Sequence, residues 1–247
     1  MSESIFSLVG KTILVTGASS GIGRAIAIEC SKSGATVYLT ARNKERLEET
    51  RSMMAPGSHE IIVADLTTQE DITVLAESVV KLDGVVLNSG INDKSLVKKL
   101  DEAYMSKMME TNFSGPAMLI QSLLKNKKIN KLASIVFMSS VSAYYPSVSN
   151  SIYAATKAAV NQFAKVLALE VLVLKARVNC IQPAFVETDM LKKYKDDNVI
   201  ETIRANYPLG RFARPEEIAY AAIYYLSDAS QLVTGSSLVI DGGYTLR

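Results

Sequence analysis

The 247-residue chain has one histidine, His59, and two cysteines, Cys30 and Cys180. That leaves no zinc site of the usual His/Cys kind, no disulfide framework and no Ser-His-Asp triad in prospect. Long apolar runs are missing as well, so no segment reads as a membrane span. The start, Met1 to Ser7, lacks the basic residues and apolar stretch of a signal peptide. Charge of one sign is also scarce: 27 Lys and Arg against 25 Asp and Glu leave a net +2, which gives no electrostatic reason to expect nucleic acid. With 48% hydrophobic and 21% charged residues, the chain is not disordered. The expectation is a cytoplasmic protein with no metal, membrane or nucleic-acid partner. The two cysteines read as buried small apolar residues, and His59, after Ala55-Pro56-Gly57-Ser58, reads as a surface turn residue.

What is present is an alternation. Apolar, β-rich runs at 12–16, 36–40, 60–64, 84–88, 133–139, 177–181 and 237–240 lie between helical patterns at 21–33, 44–54, 69–81, 101–125, 151–174 and 215–227. Most of the runs show no polar alternation, which is how strands covered on both faces read. Strand–helix alternation predicts right-handed βαβ units and a parallel sheet, either doubly wound or closed as a barrel. No linker or repeat divides the chain, so 1–247 reads as one α/β domain.

The first strand–helix turn decides for the doubly wound form. Thr16-Gly17-Ala18-Ser19-Ser20-Gly21-Ile22-Gly23 spaces three glycines as G-x-x-x-G-x-G. Gly17 lets the chain turn off the strand, Gly21 lets backbone approach a pyrophosphate, and Gly23 lets the helix pack close to the sheet. The helix N-terminus then offers N–H groups to the anion. At the end of the second strand, where an NAD site wants Asp or Glu, stand Ala41 and Arg42. A small residue beside a guanidinium suits a 2′-phosphate, so NADP(H) is expected over NAD(H), with Ser20 adding a hydroxyl. Asp65 and Leu66 close the third strand, where an adenine edge would lie. Asn88, Ser89 and Gly90 close the fourth, facing the middle of the cofactor.

Tyr153-Ala154-Ala155-Thr156-Lys157 opens a helix and sets a phenol and an ammonium one turn apart. A phenol titrates near 10, and a neighbouring ammonium favours its phenolate. Tyr153 thus becomes a candidate acid or base for a hydroxyl/carbonyl pair. Ser140, at the end of the fifth strand, could hold the substrate oxygen. The amide of Asn112 could anchor a water connecting to Lys157.

These residues resemble the short-chain dehydrogenase/reductase family over nearly the whole chain. Pro183-Ala184-Phe185-Val186-Glu187-Thr188 and the closing Gly235…Asp241-Gly242-Gly243 belong to the same likeness. The resemblance implies a Rossmann-type three-layer sandwich with a seven-stranded parallel sheet in the order 3-2-1-4-5-6-7. It implies hydride transfer between a nicotinamide and an alcohol/carbonyl pair. Tyr153 would then be the proton donor. Lys157 would bind the nicotinamide ribose and lower the phenol's pKa, Ser140 would orient the carbonyl, and Asn112 would hold the relay water. Thr188 would contact the diphosphate or carboxamide end, and Ser19, Ile22, Pro183 and Val186 would complete the cofactor set. The chain departs from the family pattern at Leu87-Asn88-Ser89-Gly90, where Asn-Asn-Ala-Gly is usual, and at Pro183-Ala184, where Pro-Gly is usual.

The resemblance is nearest to 3-oxoacyl-[acyl-carrier-protein] reductases, which implies a ketone substrate, carrier-linked in that case. A sugar, polyol or other secondary alcohol is the alternative substrate, and a non-catalytic nucleotide-binding subunit is the alternative role. A substrate lid is expected over about 185–209, with Met190, Tyr194, Ile200, Ile203 and Tyr207 beside Lys192, Lys193 and Lys195. Tyr144, Tyr145, Pro146 and Ile152 are expected to face the same pocket. Lys125, Lys127, Lys128 and Lys131 form a basic run after a helix, a candidate docking patch for an acidic carrier. The 151–174 helix is apolar almost all round, which predicts a partner subunit in a homodimer or homotetramer.

Overall fold

The computed structural model describes residues 4–189, 191 and 197–246. Strands β1 (Thr12–Thr16), β2 (Thr36–Ala41), β3 (Glu60–Val63), β4 (Leu82–Leu87), β5 (Ile129–Met138), β6 (Arg177–Pro183) and β7 (Ser237–Ile240) pair in parallel as one seven-stranded sheet. Its order is β3-β2-β1-β4-β5-β6-β7, the doubly wound arrangement. The helices are α1 (Gly21–Lys32), α2 (Lys44–Ser52), α3 (Gln69–Ser78), α4 (Glu102–Met109), α5 (Gly115–Lys125), α6 (Ser151–Glu170), α7 (Asp197–Ala205) and α8 (Pro215–Leu226).

The period of a strand divides the core in two. Ile13 and Val15 of β1, Val86 of β4 and Val136 of β5 pack against α1 and α8. Leu14, Val85 and Ile135 point the other way, against α3, α5 and α6. This double covering explains the unbroken apolar runs. The order reverses at β1, which pairs with both β2 and β4. A crevice therefore opens at the carboxyl ends of these strands.

Several elements differ from expectation. The helix predicted over 101–125 is interrupted by a π-type turn at Glu110–Ser114. Pro116 has no N–H for the Asn112 carbonyl, so the α-helical bond pattern fails there. Gly115 also comes so close to β3's end that a Cβ on it would lie 2.3 Å from the Leu66 carbonyl oxygen. The 151–174 helix ends at Glu170 and finishes in a 3₁₀ turn, Val171–Leu174. Strand β5 begins at Ile129 rather than 133 and takes Lys131 out of the helix end.

Lys128 is not free for docking. Its Nζ donates to the carbonyls of Glu77 (2.9 Å) and Val79 (2.7 Å), closing the C-terminus of α3. His59 is not a bare surface residue either. Its Nδ1 accepts the Val37 N–H at 3.2 Å, beyond the last backbone pair between β2 and β3, and its Nε2 lies 2.9 Å from the Ala55 carbonyl. Cys30 and Cys180 are buried, and burial pushes both thiols up to about 12. Beyond the core, Val166 and Leu169 of α6 and Leu172 and Val173 after it stay exposed in the single chain. No helix among the described residues is long and apolar enough to cross a membrane.

Candidate active site

A cleft of about 860 Å³ lies at the carboxyl ends of the strands. The glycine turn forms its floor. Gly17 has φ +64°, where an L side chain is strained, and a Cβ on Gly23 would stand 2.2 Å from the Gly17 carbonyl oxygen. Turn and helix can close on each other only because both are glycine. The end of β4 seals the turn. The Asn88 and Ser89 N–H groups donate to Thr16 Oγ1 (3.0 and 3.1 Å), and Asn88 Nδ2 donates to the Thr16 carbonyl at 3.3 Å. Thr16 is thus a site residue that the sequence pattern did not single out. Ser20, the N-cap of α1, makes no side-chain cap. No side-chain cap and no acidic residue of α1's own first turn engages its N-terminal N–H groups, which suits an anionic cofactor.

At one end of the cleft Arg42 is well exposed, with Nη1 3.7 Å from the Asp65 carboxylate. Burial pulls the Asp65 carboxyl upward. Hydrogen bonds from the Thr67 N–H and hydroxyl, with the Arg42 guanidinium, outweigh it and hold the pKa below the usual range. A second guanidinium, which sequence reasoning missed, lines the same end: Arg46 of α2, paired with Asp189 at 3.1 Å. Its signal was its place one turn beyond Arg42.

At the other end Tyr153, Lys157 and Ser140 line the cleft together. Two bonds tie α6 to the end of β5. Lys157 Nζ donates to the Met138 carbonyl at 2.8 Å, and Ser139 Oγ donates to the Lys157 carbonyl at 3.1 Å. The ammonium lies 5.6 Å from the centroid of the Tyr153 ring. Ser140 Oγ accepts the Ser142 N–H at 3.1 Å and donates to the Pro183 carbonyl at 3.4 Å. Asn112 is buried behind this wall. Its Oδ1 accepts the Ile91 N–H (2.8 Å), and its Nδ2 donates to the Ile91 carbonyl (3.0 Å) and Thr156 Oγ1 (3.2 Å). The side-chain amide expected to anchor a water is thus engaged by protein, joining the loop after β4 to α6. Thr156, inside the Tyr-x-x-x-Lys spacing, is the partner that reasoning overlooked.

The electrostatics also correct an expectation. Lys157 does not pull the phenol down in the chain alone. Burial pushes Tyr153 above its ordinary value, and the nearby Ser140 hydroxyl only partly offsets this. Burial lowers Lys157 to about 8. At neutral pH the pair is therefore a neutral phenol beside a largely charged amine.

Every other residue expected to hold cofactor or substrate oxygen lines the cleft, except Gly23, which packs beneath it. Of the expected substrate-side residues, Tyr145 and Ile203 line it, whereas Tyr144, Pro146, Ile152, Ile200 and Tyr207 do not. Met190, Lys192, Lys193, Tyr194 and Lys195 lie outside the described residues. Tyr207 works from behind: its hydroxyl accepts the Phe185 N–H at 2.9 Å, and its ring stacks on Tyr244 at 4.9 Å. Tyr244 reaches the cleft from a C-terminal turn held by the Asp241 carboxylate, which accepts the N–H groups of Gly243 and Thr245 at 2.9 Å each.

A dinucleotide-sized cleft at the switch point, with a half-buried phenol and a buried ammonium beside it, defines a nicotinamide-dependent oxidoreductase of alcohol and ketone groups. Comparison with known proteins agrees. A family profile described as enoyl-(acyl carrier protein) reductase matches residues 17–245. The chain is 34% identical to the 3-oxoacyl-[acyl-carrier-protein] reductase FabG of Thermotoga maritima, covering 97% of this chain and 99% of that one. It is 32% identical to the NAD-dependent glycerol dehydrogenase of Listeria innocua, covering 98% and 96%. The structure of RhlG of Pseudomonas aeruginosa, in an NADP active-site complex, superposes with a TM-score of 0.91 at 30% identity, covering 99% of each chain. The chain belongs to the short-chain dehydrogenase/reductase family.

The lowered Lys157 pKa has a sign that can be measured. Below about pH 8 the amine is charged in both states, and its burial costs stability. Between about 8 and 10.5 the unfolded chain holds a proton that the folded chain has lost, so stability rises with pH there. Urea unfolding at pH 7 and pH 10 should show wild type gaining about 3 kcal/mol relative to Lys157→Met. The same pH response in both proteins would contradict the assignment.

Proposed function

We propose that this protein is an NADPH-preferring carbonyl reductase in which Tyr153 is the proton donor. The meeting of the Tyr153 phenol, the Ser140 hydroxyl and the Lys157 ammonium at one end of the cleft is the observation that carries this reading. The cofactor supplies the hydride, and the protein's own residues manage the proton. Burial keeps the phenol neutral at pH 7, the form that can protonate a carbonyl oxygen. Ser140 and Tyr153 line the same end of the cleft, so a carbonyl oxygen lodged between the two hydroxyls is oriented by one and protonated by the other. Lys157, held by the Met138 carbonyl, keeps a positive charge near the phenolate that remains. Asn112 fixes the loop after β4 against Thr156, three residues beyond Tyr153, and so acts as a positioning residue.

The cofactor preference is supported by Ala41 and Arg42 at the cleft mouth, with no carboxylate in the place of Ala41 to take a ribose 2′-hydroxyl. The residues read from the glycine turn, from Asp65 and Leu66, from Asn88 to Gly90, and from Pro183 to Thr188 are the proposed cofactor contacts. The likeness to FabG supports a 3-oxoacyl-type ketone as substrate, and the rings of Tyr145, Phe185 and Tyr244 give its chain an apolar wall. A sugar or polyol is the second reading, favoured by the glycerol dehydrogenase relative and by Ser142 and Asn150 in the cleft wall. Docking of a carrier has less support now that Lys128 is engaged. We read residues 185–209 as the substrate lid of one domain, and the protein as cytoplasmic. The exposed apolar side chains of Val166, Leu169, Leu172 and Val173 support a homodimer or homotetramer.

NADPH consumption followed at 340 nm with acetoacetyl thioesters, simple ketones and sugars should find a turned-over substrate. On it Tyr153→Phe should lose about 10²–10⁴ in rate, and normal turnover by that variant would refute the mechanism. Arg42→Ala should weaken NADPH by about 1.5–3 kcal/mol and leave NADH nearly unchanged, as measured by titration. Equal losses for both cofactors would overturn the phosphate assignment. Light scattering at micromolar concentration should return the mass of a dimer or tetramer rather than a monomer.

A further inference from the structure

Two guanidinium groups reach the same end of the cleft, and a carboxylate faces each: Asp65 for Arg42 at 3.7 Å and Asp189 for Arg46 at 3.1 Å. The second pair differs from the first because its partners come from opposite walls. Arg46 stands in the first turn of α2, where Asn43 Oδ1 accepts its backbone N–H at 2.8 Å. Asp189 follows Thr188, which rests on the glycine turn, its Cγ2 lying 3.1 Å from where a Cβ on Gly21 would stand. The ion pair thus spans the cleft mouth above the turn. Its side chains keep 48% and 56% of their exposure, so solvent screens the attraction and the pair is easily exchanged.

A phosphate monoester is a stronger competitor than a carboxylate for a guanidinium. It carries up to two charges and three acceptor oxygens, and the planar fork binds two of them at once. Arg46 lies four positions after Arg42, on the same cleft wall, and Ala41 beside them leaves space. We propose that Arg46 is a second specificity-determining residue for the cofactor's 2′-phosphate, and that Asp189 competes with that phosphate for it. This rests on the NADP(H) reading above. In the free protein Asp189 occupies the guanidinium. When the 2′-phosphate arrives, the Arg46 fork transfers to it from Asp189. No covalent bond changes. NADH, with a hydroxyl at that position, has nothing to draw Arg46 across.

Titration of the full chain with NADPH and with NADH, followed by cofactor fluorescence, tests the exchange. Arg46→Ala should weaken NADPH about tenfold and NADH less than about twofold. Asp189→Asn should have the opposite sign, tightening NADPH about two- to fivefold and leaving NADH alone. In the double variant Arg46→Ala/Asp189→Asn this gain should vanish, because it needs the guanidinium. A gain that survives without Arg46, or an Arg46→Ala loss shared equally by both cofactors, overturns the proposal. Arg42→Ala separates its failure from that of the underlying reading. If wild type prefers NADPH and only Arg42→Ala abolishes the preference, the NADP(H) reading stands and Arg46 has no part in it. If wild type shows no preference at all, both fall.

Discussion

A lysine ammonium buried beside a phenol, with a backbone carbonyl as its fixed partner, is the constraint on which the reactive end depends. Lys157 donates to the Met138 carbonyl, and Ser139 answers by donating to the Lys157 carbonyl. The end of β5 and the second turn of α6 are therefore fastened by reciprocal bonds. Tyr153 lies one turn earlier on the same helix and has little freedom of position. Burying the amine is costly, as its lowered pKa records. A fold tolerates such a cost where the charge has work to do, and in the proposed mechanism that work is to favour the phenolate left behind by a proton transfer.

The cofactor end follows a different logic. The glycine turn, Thr16 and Asn88 bring backbone so close together that side chains are excluded, which leaves N–H groups facing the cleft. Arg42 and Arg46 add positive charge at the rim, and Asp65 and Asp189 each stand opposite one of them. One end of the cleft is thus made by close approach and exposed, exchangeable charge. The other end is made by burial.

How much of this was legible depended on how local the cause was. The strand β1 falls where its apolar run begins and ends, since double coverage leaves an unbroken pattern, and β7 matches its run although Leu238 and Val239 stay exposed in the single chain. That Gly17, Tyr153 and Lys157 would line one cleft could be read from short spacings within one turn or one helix, and Ser140 from its place at the end of the fifth strand. The π turn carrying Asn112 was not readable, since it arises from Pro116 and from the approach of Gly115 to Leu66, a contact between distant segments. The roles of Lys128 and His59 were misjudged for the same reason: each serves a backbone group of another element. Tyr244 gave no signal at all, because a C-terminal turn can be assigned to a substrate wall only after β7 is placed beside β6.

By itself, the order of residues determined the alternating α/β plan, the glycine turn at the head of α1 and the set of polar side chains that meets in the cleft. Those follow from periodicity and from short-range backbone geometry, which the chain carries wherever it goes. Tertiary structure alone decided the protonation of that group, because burial raises the phenol and lowers the amine, and burial is a property of neighbours. It also decided which arginines meet which carboxylates across the cleft, since an ion pair between α2 and the segment after β6 exists only once both walls stand.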